Sequence, residues 1–540
     1  MNFIQSVRRR KTSFGESNSG LKRVLNLRDL VFMGMAAIIG GGIFSSVGEA
    51  CATGGPGIIY LFIICAVACG FAALCYAEFS TRIPVAGSAY TYAYASFGEL
   101  FAWIIGWALL MEYAIGNIYV SYSWSGYFVH LLENVHIHLP QWLTMSYVSA
   151  KKALLSNPNL AAWQDAPIIG GLRIILDLPA FSINIFITAL VYIGVSESKT
   201  ASNIMVMLKV AVIIMVIIVG FFYVDTDNYV PFLPHGFGGV MGSVSAVFFT
   251  YIGFDALSTM AEECKNPKRD LPRGMIYSLL ICTVLYILIS LVLTGMVNYT
   301  KLNVTDPLAF ALAEKGVKWL EYIVSISAVI AMTSVLLVFQ MGQPRIWFSM
   351  SRDGLLPSKF STIHPKYKTP SYATIVTGIV VGLPILFTDK DFVLDFTSIG
   401  TLFAFVLVCG GVLLLPQRER EKGRFHMPHI NSQFIFPVMV IFSMLLSHYL
   451  LPDYFMNMLQ TENLNSVFGL SHIIFWLIMI ILSVFAYRKK WSLIPLLGVS
   501  TCMYLLTGME LSNWYWFSIW FSIGIVIYFA YGYRHSKLNA

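Results

Sequence analysis

The stretch "AIIGGGIF", residues 37–44, lies inside the first long apolar run of the chain and contains three consecutive glycines. Each glycine destabilises a helix interior by about 0.5–1 kcal/mol relative to alanine. A lipid bilayer has no water to satisfy the backbone groups that such a helix releases. A membrane helix of this sequence is expected to weaken at Gly40–Gly42, either for close helix packing or to present its backbone to a ligand.

Composition assigns the chain to the integral membrane proteins. Of its 540 residues, 57% are hydrophobic and 12% are charged, whereas about 25% of the residues in a soluble domain are charged. The net charge of +7 reflects basic residues placed between apolar runs, so no nucleic-acid partner is expected.

No metal or cofactor is expected either. The eight cysteines lack a C-x-x-C spacing and are interpreted as free thiols. His130, His136 and His138 lie near the loop after the third apolar run and are interpreted as solvated loop histidines rather than metal ligands.

Apolar runs of about 20 residues predict an all-α membrane protein with fourteen spanning helices. Residues 130–172 form the longest excursion between them, where a short surface helix is expected. The fourteen helices are numbered in chain order and fall near 28–52, 57–80, 98–129, 173–195, 201–224, 236–262, 273–298, 317–349, 370–387, 391–415, 433–451, 468–487, 491–509 and 514–533.

The basic residues between these helices predict the orientation. An even number of spans places both ends on one side, and most lysines and arginines outside the apolar runs then fall on that side, as in "RRRK" at 8–11 and "RKK" at 488–490. Loops that carry an excess of Lys and Arg are cytoplasmic. The sequence predicts a multi-pass protein of the cell membrane with both termini in the cytoplasm.

A second weak point lies five helices after the first. Helix 6 contains "FFTYIGFDALST", residues 248–259, in which Gly253 is followed by Asp255, a residue type that starts helices rather than continuing them. Glycine-interrupted helices at corresponding positions of two halves indicate an inverted-repeat secondary transporter. Half-helix N-termini then suit an anion and unwound carbonyls suit a cation, as the two charges of an α-amino acid require.

This pairing predicts how the chain is divided. Two five-helix repeats are followed by four additional helices, with a cytoplasmic segment at each end. The predicted boundaries are 1–27 for the N-terminal segment, 28–224 and 236–415 for the repeats, 433–533 for the additional helices and 534–540 for the tail.

Three ionisable residues inside predicted helices are candidates for a function. Lys209 is about 12 Å into helix 5 at 1.5 Å per residue; it either snorkels to the surface or exchanges a proton as a coupling group. Glu112, near the middle of helix 3, is a candidate ion-pair partner, substrate-cation contact or gating group. Asp255 is expected to cap the second half of helix 6, with direct substrate contact or gating as the alternative. Glu78 and Arg82 are spaced to form an i, i+4 pair.

These motifs resemble the amino acid–polyamine–organocation (APC) superfamily, and within it the cationic amino acid transporter family with its bacterial relatives. The resemblance covers essentially the whole chain, including the four additional helices. The matching stretches are "AIIGGGIF" (37–44), "AEFSTRIPVAGSAYTYAYASFGELFAWIIGWALLMEY" (77–113), "FFTYIGFDALSTMAEECKNPKRDLPRGM" (248–275), "GQPRIWFSMSRDGLLP" (342–357) and "YFAYGYRHS" (528–536).

The resemblance implies a LeuT-like fold of two inverted five-helix repeats in which helices 1 and 6 are broken. It implies that a substrate carboxylate binds the backbone N–H groups of Gly41 and Gly42. Family members often have Thr at the position of Gly41, so a hydroxyl contact is missing here. The substrate amino group would meet carbonyls at the positions of Ile38, Phe249, Thr250 and Ile252.

The resemblance also assigns roles to two further residues. Lys209 matches a helix 5 lysine that links helices 1 and 5 when protonated and releases them when neutral. Met332, in helix 8, lies where a bulky residue caps the side-chain pocket, which favours small neutral side chains over those of Arg or Lys. The expectation is a broad or neutral substrate first and a cationic one second.

The function expected is therefore proton-coupled symport of an α-amino acid by alternating access, with the proton and the lipid bilayer as the other partners. An exchanger without proton coupling is the alternative within transport. A membrane-embedded enzyme would need a cluster of catalytic groups, and the helix interiors carry only scattered Glu78, Glu112 and Lys209. A membrane sensor would need a signalling domain, and a channel would show rings of pore charges.

Overall fold

A computed structural model describes residues 9, 25–82, 88–194, 199–260, 264–415, 425–450, 454–459 and 467–539. The described chain is helical apart from one hairpin of two-residue strands, Ile168–Ile169 and Leu172–Arg173. Helices at the fourteen predicted positions are α1 Leu27–Ile38 with Gly42–Ser46 and Val47–Gly54, α2 Ile59–Arg82, α3 Glu99–Asn134, α4 Leu178–Ile193, α5 Lys199–Phe221, α6 Val244–Phe249 with Phe254–Met260, α7 Pro267–Met296, α8 Lys318–Arg352, α9 Ser371–Phe387, α10 Lys390–Leu413, α11 Ile435–Leu450, α12 Val467–Lys489, α13 Leu493–Thr507 and α14 Leu511–Ile527.

Within the described residues, eight of these helices are long and apolar enough to cross a membrane, and α1 makes a ninth if its two segments count as one span. The remaining five are shorter apolar helices, and each lies at a predicted position. This pattern confirms the all-helical membrane class. That all fourteen helices span the bilayer stays a prediction.

The start of α4 differs from its predicted position at residue 173. Arg173 belongs to the small hairpin, and α4 begins at Leu178 because Asp177 is its N-cap, with the side chain accepting a hydrogen bond from the Ala180 amide at 3.0 Å. The expected surface helix in the preceding excursion is Tyr147–Ser156.

Burial separates helices that form the centre from helices that face lipid. In the most apolar stretch of α3, 94% of the residues are buried, whereas the corresponding share is 33% in α5 and 22% in α14. The main packing partners of α3 are α8 and α10. Since α3 and α14 are both apolar, it is position rather than hydropathy that distinguishes them.

The four additional helices dock on this centre through α13 and α14. The α13 helix packs against α10 and α2. On α14, the Gly524 carbonyl accepts a hydrogen bond from Trp103 Nε1 at 2.8 Å, and the Trp520 ring stacks on the Trp107 ring at 4.7 Å. A Cβ atom at Gly524 would lie 2.4 Å from Trp107, so glycine permits this close approach.

The expectation for His130 was wrong. It lies on α3, where Nδ1 is 2.8 Å from Asp306 Oδ2 and Nε2 is 2.9 Å from Glu321 Oε1. It therefore ties α3 to the first turn of α8 instead of lying solvated in a loop. His136 and His138 are exposed, as expected. The eight cysteines are free and buried, in agreement with the prediction.

Arg9 and residues of the described C-terminal segment meet at Glu99, the first residue of α3, which is fully buried. Its amide donates to the Arg9 carbonyl at 2.9 Å. Its carboxylate accepts hydrogen bonds from the hydroxyls of Tyr94, Tyr528 and Ser536. Arg9 and Ser536 consequently lie on the same side of the molecule.

We predict that Glu99→Ala lowers the free energy of unfolding by on the order of 3 kcal/mol, because three buried hydroxyls lose their acceptor. Thermal unfolding in detergent measures the effect. The control is Glu314→Ala, since the Glu314 carboxylate is 42% exposed and lies 3.6 Å from the Lys301 ammonium, a surface pair worth about 0–1 kcal/mol. Equal shifts for the two variants would contradict the prediction.

Candidate functional site

The predicted break in helix 1 is present. The first segment of α1 ends at Ile38, and Ile39 is extended, with φ −80° and ψ 96°. Helical geometry resumes at Gly41 and passes through a π-helical turn, Gly42–Ser46, and the two segments are bent by 42°. The first N–H groups of a helical segment have no carbonyl one turn earlier to bind, so Gly41 and Gly42 occupy positions whose amides suit an anion.

The predicted break in helix 6 is also present. The α-helical part ends at Phe249, and the amides of Thr250, Tyr251 and Ile252 each bond the carbonyl three residues earlier, at 2.9–3.2 Å. Gly253 follows with φ 116°, a conformation that a residue with a Cβ rarely adopts. The chain then continues as a 3₁₀ helix, Phe254–Met260.

The two breaks cross in direct backbone contact. A Cβ atom at Gly42 would lie 2.7 Å from Thr250 Cα, and a Cβ atom at Gly253 would lie 2.9 Å from the Ala37 carbonyl oxygen. Real Cβ atoms do not approach other heavy atoms so closely, and here the obstacle is backbone rather than a movable side chain. Glycine is thus required on both sides of the crossing.

The four residues expected to offer carbonyls lie at this crossing, and all are buried. The Ile38 carbonyl accepts a hydrogen bond from the Tyr286 hydroxyl at 3.0 Å, and the Phe249 carbonyl accepts from the Ile252 amide at 3.2 Å. A carbonyl oxygen has two lone pairs, so these groups retain capacity for a further donor. Thr250 lies in the turn itself.

Tyr119 of α3 forms one wall of the site, and sequence reasoning missed it. Its ring lies 4.5 Å from the Phe249 ring, edge to face. A Cβ at Gly41 would lie 3.5 Å from the Tyr119 ring and 3.2 Å from the Val120 side chain. Only side-chain atoms oppose Gly41, in contrast to Gly42. The only signal in the sequence was an aromatic residue in an apolar helix, and many residues of this chain fit that description.

The α8 helix forms the opposite wall. A Cβ at Gly40 would lie 2.6 Å from Val335 Cγ2. Met332 is fully buried and precedes Val335 by three residues, so the two share a helix face. The structure thus brings Met332 to the face of α8 that packs against the α1 break.

Lys209 lies on the buried stripe of α5 with Val206, Ile213 and Val216, and its side chain is 1% exposed. A snorkelling lysine would keep its ammonium in water, which this burial opposes. The first turns of α5 contact two helices: Asn203 Nδ2 lies 3.4 Å from Asp29 Oδ1 of α1, and Met205 Sδ lies 4.0 Å from Ser334 Oγ of α8.

Glu112 and Asp255 are both buried, at 5% and 2% exposure, and they interact electrostatically. Asp255 lies in the first turn of the 3₁₀ segment Phe254–Met260, and its role as a cap of the second half of α6 stays a prediction. Within the described chain, Glu112 Oε2 and Asp255 Oδ2 have no hydrogen-bond donor. Two buried carboxylates in one region can bind a proton or a cation.

Lys390, at the start of α10, was not singled out by sequence reasoning. Its Nζ lies 2.7 Å from Ser45 Oγ of α1 and 5.4 Å from the centroid of the Tyr119 ring. It also interacts electrostatically with Glu49. Lys390 thus links α10 to the second segment of α1 and to α3, a contact between residues 345 positions apart.

Two crossing broken helices inside a multi-helix membrane fold are typical of a membrane transporter. The "Amino acid permease" family profile matches residues 25–485, and the profile for the C-terminus of that family matches residues 493–536. The chain therefore belongs to the amino acid permease family, within the APC superfamily that the motifs resemble.

Similar proteins agree with this assignment. The chain is 38% identical to the branched-chain amino acid permease BcaP of Bacillus subtilis, over 96% of this chain and 95% of the relative. It is 37% identical to the methylthioribose transporter of the same organism, over 97% and 96%. It is 30% identical to the mitochondrial cationic amino acid transporter 3 of Arabidopsis thaliana, over 100% and 96%.

The fold has a solved counterpart in MhsT, crystallised in complex with L-phenylalanine. The TM-score is 0.50 at 15% identity, over 72% of this chain and 89% of MhsT. This likeness supports the LeuT-like fold that the resemblance implies.

We predict a graded response to alanine at three glycines. Gly42→Ala lowers the free energy of unfolding by about 1–3 kcal/mol because the methyl group meets backbone. Gly41→Ala has a smaller effect because only side chains must shift. Gly70→Ala in α2 is the control, since nothing lies within 4 Å of the added Cβ. Thermal unfolding midpoints rank the variants, and a Gly42→Ala midpoint equal to that of Gly70→Ala would contradict the proposed crossing.

Proposed function

We propose that the protein takes up an α-amino acid with a neutral side chain together with a proton, by alternating access across the cell membrane. The observation that carries this proposal is the crossing of the α1 and α6 breaks, which brings helix-start amides and unwound carbonyls into one buried space. A zwitterion needs both kinds of group within a few ångströms.

In this proposal the substrate carboxylate binds the amides of Gly41 and Gly42. The amino group binds carbonyls from the following set: Ile38, Phe249, Thr250 and Ile252. Buried Met332 on the adjoining face of α8 limits the space for the side chain, which favours small or branched neutral substrates. The similarity to a branched-chain amino acid permease points the same way, although the methylthioribose relative indicates that substrates in this group vary.

A cationic amino acid is the second candidate. It is favoured by the buried carboxylates of Glu112 and Asp255, which a cationic side chain can neutralise, and by the similarity to transporters named for cationic amino acids. Met332 opposes it, because a longer side chain needs the space that this residue fills.

Lys209 is proposed as the coupling group. When protonated it holds α5 to α1, and when neutral it releases them, so that one cycle carries one proton with the substrate. Its burial supports this role, because a lysine withdrawn from water exchanges its proton more readily. The contact between Asn203 of α5 and Asp29 of α1 supports direct packing of these helices.

The orientation is proposed with both termini in the cytoplasm. Arg9 and Ser536 meet at Glu99 and so lie on one side. The excess of Lys and Arg between the helices falls on that same side.

We predict that Lys209→Ala abolishes leucine accumulation driven by a pH gradient in proteoliposomes, while leucine–leucine exchange persists, because the alternating movement no longer requires a proton. Lys318→Ala, an exposed lysine at the start of α8, is the matched control and accumulates leucine normally.

Two results would oppose this prediction. Accumulation by Lys209→Ala at the level of the unmodified protein would remove Lys209 from coupling. Leucine uptake that ignores the pH gradient in the unmodified protein would replace symport with exchange.

We predict that Met332→Ala shifts selectivity toward larger side chains, because deleting the buried thioether enlarges the pocket. A ligand that binds the folded protein raises the unfolding midpoint, and at a given concentration a tighter ligand raises it more, so a thermal-shift screen against the twenty amino acids measures the change. The expected result is a larger shift with phenylalanine and a smaller one with alanine than in the unmodified protein.

The same screen tests the cationic candidate. Strong stabilisation by arginine that Glu112→Gln removes would favour the cationic substrate and overturn the neutral one. An unchanged ligand ranking in Met332→Ala would show that this residue does not shape the pocket.

A further inference from the structure

A cavity of about 320 Å³ lies away from the α1–α6 crossing, between the ends of α2, α10 and α12. The cavity lies at the ends of the helices that carry the loops rich in Lys and Arg. The charged and titratable residues that line it are Glu78, Arg82, His426, His429, Lys489 and Lys490.

The carboxylate of Glu78 is already fully engaged. Its Oε1 lies 2.8 Å from Arg82 Nε, as the i, i+4 spacing predicts, and its Oε2 accepts a hydrogen bond from the Met427 amide at 3.0 Å. Lys489 and Lys490 are exposed at the end of α12, and no salt bridge to either occurs among the described residues. The described lining therefore has a net positive charge.

The backbone around the cavity is fixed by hydrogen bonds. The Leu493 amide donates to the Ile430 carbonyl at 2.8 Å, and the Ser432 amide donates to the Trp491 carbonyl at 3.0 Å. Together with the Met427–Glu78 bond, these contacts tie the segment before α11 to both α2 and the α12–α13 turn. The backbone that carries the basic side chains is therefore held in place by these hydrogen bonds.

The other side of the cavity is apolar. It is lined by Leu413, Leu415 and Pro495 and by Trp491, whose ring stacks on Phe485 at 5.7 Å. Phe485 is 45% exposed on α12. The apolar surface of the cavity therefore continues onto the exposed face of α12.

We propose that this cavity binds the phosphate headgroup of an anionic phospholipid, with the phosphate on the basic side and the acyl chains along α12. Phosphate oxygens are strong acceptors for Lys and Arg, and basic pockets between helices on the cytoplasmic side of a membrane suit anionic headgroups. The shared apolar surface favours a lipid over free phosphate. The lipid would join α12 and α13 to α2 and α10.

The experiment uses the full-length protein in nanodiscs of phosphatidylcholine, with or without phosphatidylglycerol. Phosphatidylglycerol is expected to raise the unfolding midpoint by several degrees and to be retained in native mass spectra. The double variant Lys489→Gln/Lys490→Gln loses most of both effects. Lys359→Gln/Lys366→Gln, two exposed lysines of the α8–α9 loop, removes the same charge away from the cavity and keeps both effects.

Three results would overturn the proposal: no stabilisation by phosphatidylglycerol, an equal loss in the two double variants, or equal stabilisation by inorganic phosphate or glycerol 3-phosphate added to phosphatidylcholine nanodiscs. The last result would assign the cavity to a soluble phosphate. None of these measurements depends on transport, so their outcome is separate from that of the proposed function.

Discussion

The fold depends on one close contact, the crossing of two backbones where α1 and α6 are both interrupted. Gly42 meets Thr250 Cα, and Gly253 meets the Ala37 carbonyl, with no side chain between them. Each interruption releases polar groups that a bilayer cannot satisfy. The crossing keeps these groups inside the protein, where neighbouring helices supply partners, as Tyr286 of α7 does for Ile38. The weakness of each helix is tolerable because the other helix and its neighbours enclose it.

Local features of the fold could be predicted because their causes are local. Apolar runs locate helices, adjacent glycines locate a break, and an i, i+4 spacing pairs Glu78 with Arg82. Contacts between distant segments gave no such signal. His130 looked like a loop histidine until α3 proved to extend to Asn134 and to carry it against Glu321. The start of α4 was missed because its position is decided by the Asp177 cap, and hydropathy does not detect a cap.

The candidate site was predictable to the extent that glycine marked it. The two interruptions identified the backbone that a ligand can reach, and the resemblance placed individual amides and carbonyls on it. The sequence carries no comparable signal for the side chains that enclose this space. Tyr119 is one aromatic among many in a chain with 15% aromatic residues, and Lys390 is one of many basic residues outside the apolar runs. Only three-dimensional packing singles out the residues that touch the crossing.

The two segments of α1 have different partners, and this has a mechanical consequence. Asp29 of the first segment meets Asn203 of α5. On the second segment, the Phe44 carbonyl accepts a hydrogen bond from Tyr127 of α3 at 2.6 Å, and Ser45 contacts Lys390 of α10. The glycines interrupt the helix between these two sets of contacts, so each segment is held by its own partners. The proposed coupling by Lys209 of α5 depends on this separation, because it would release one segment of α1 while the other stays bound.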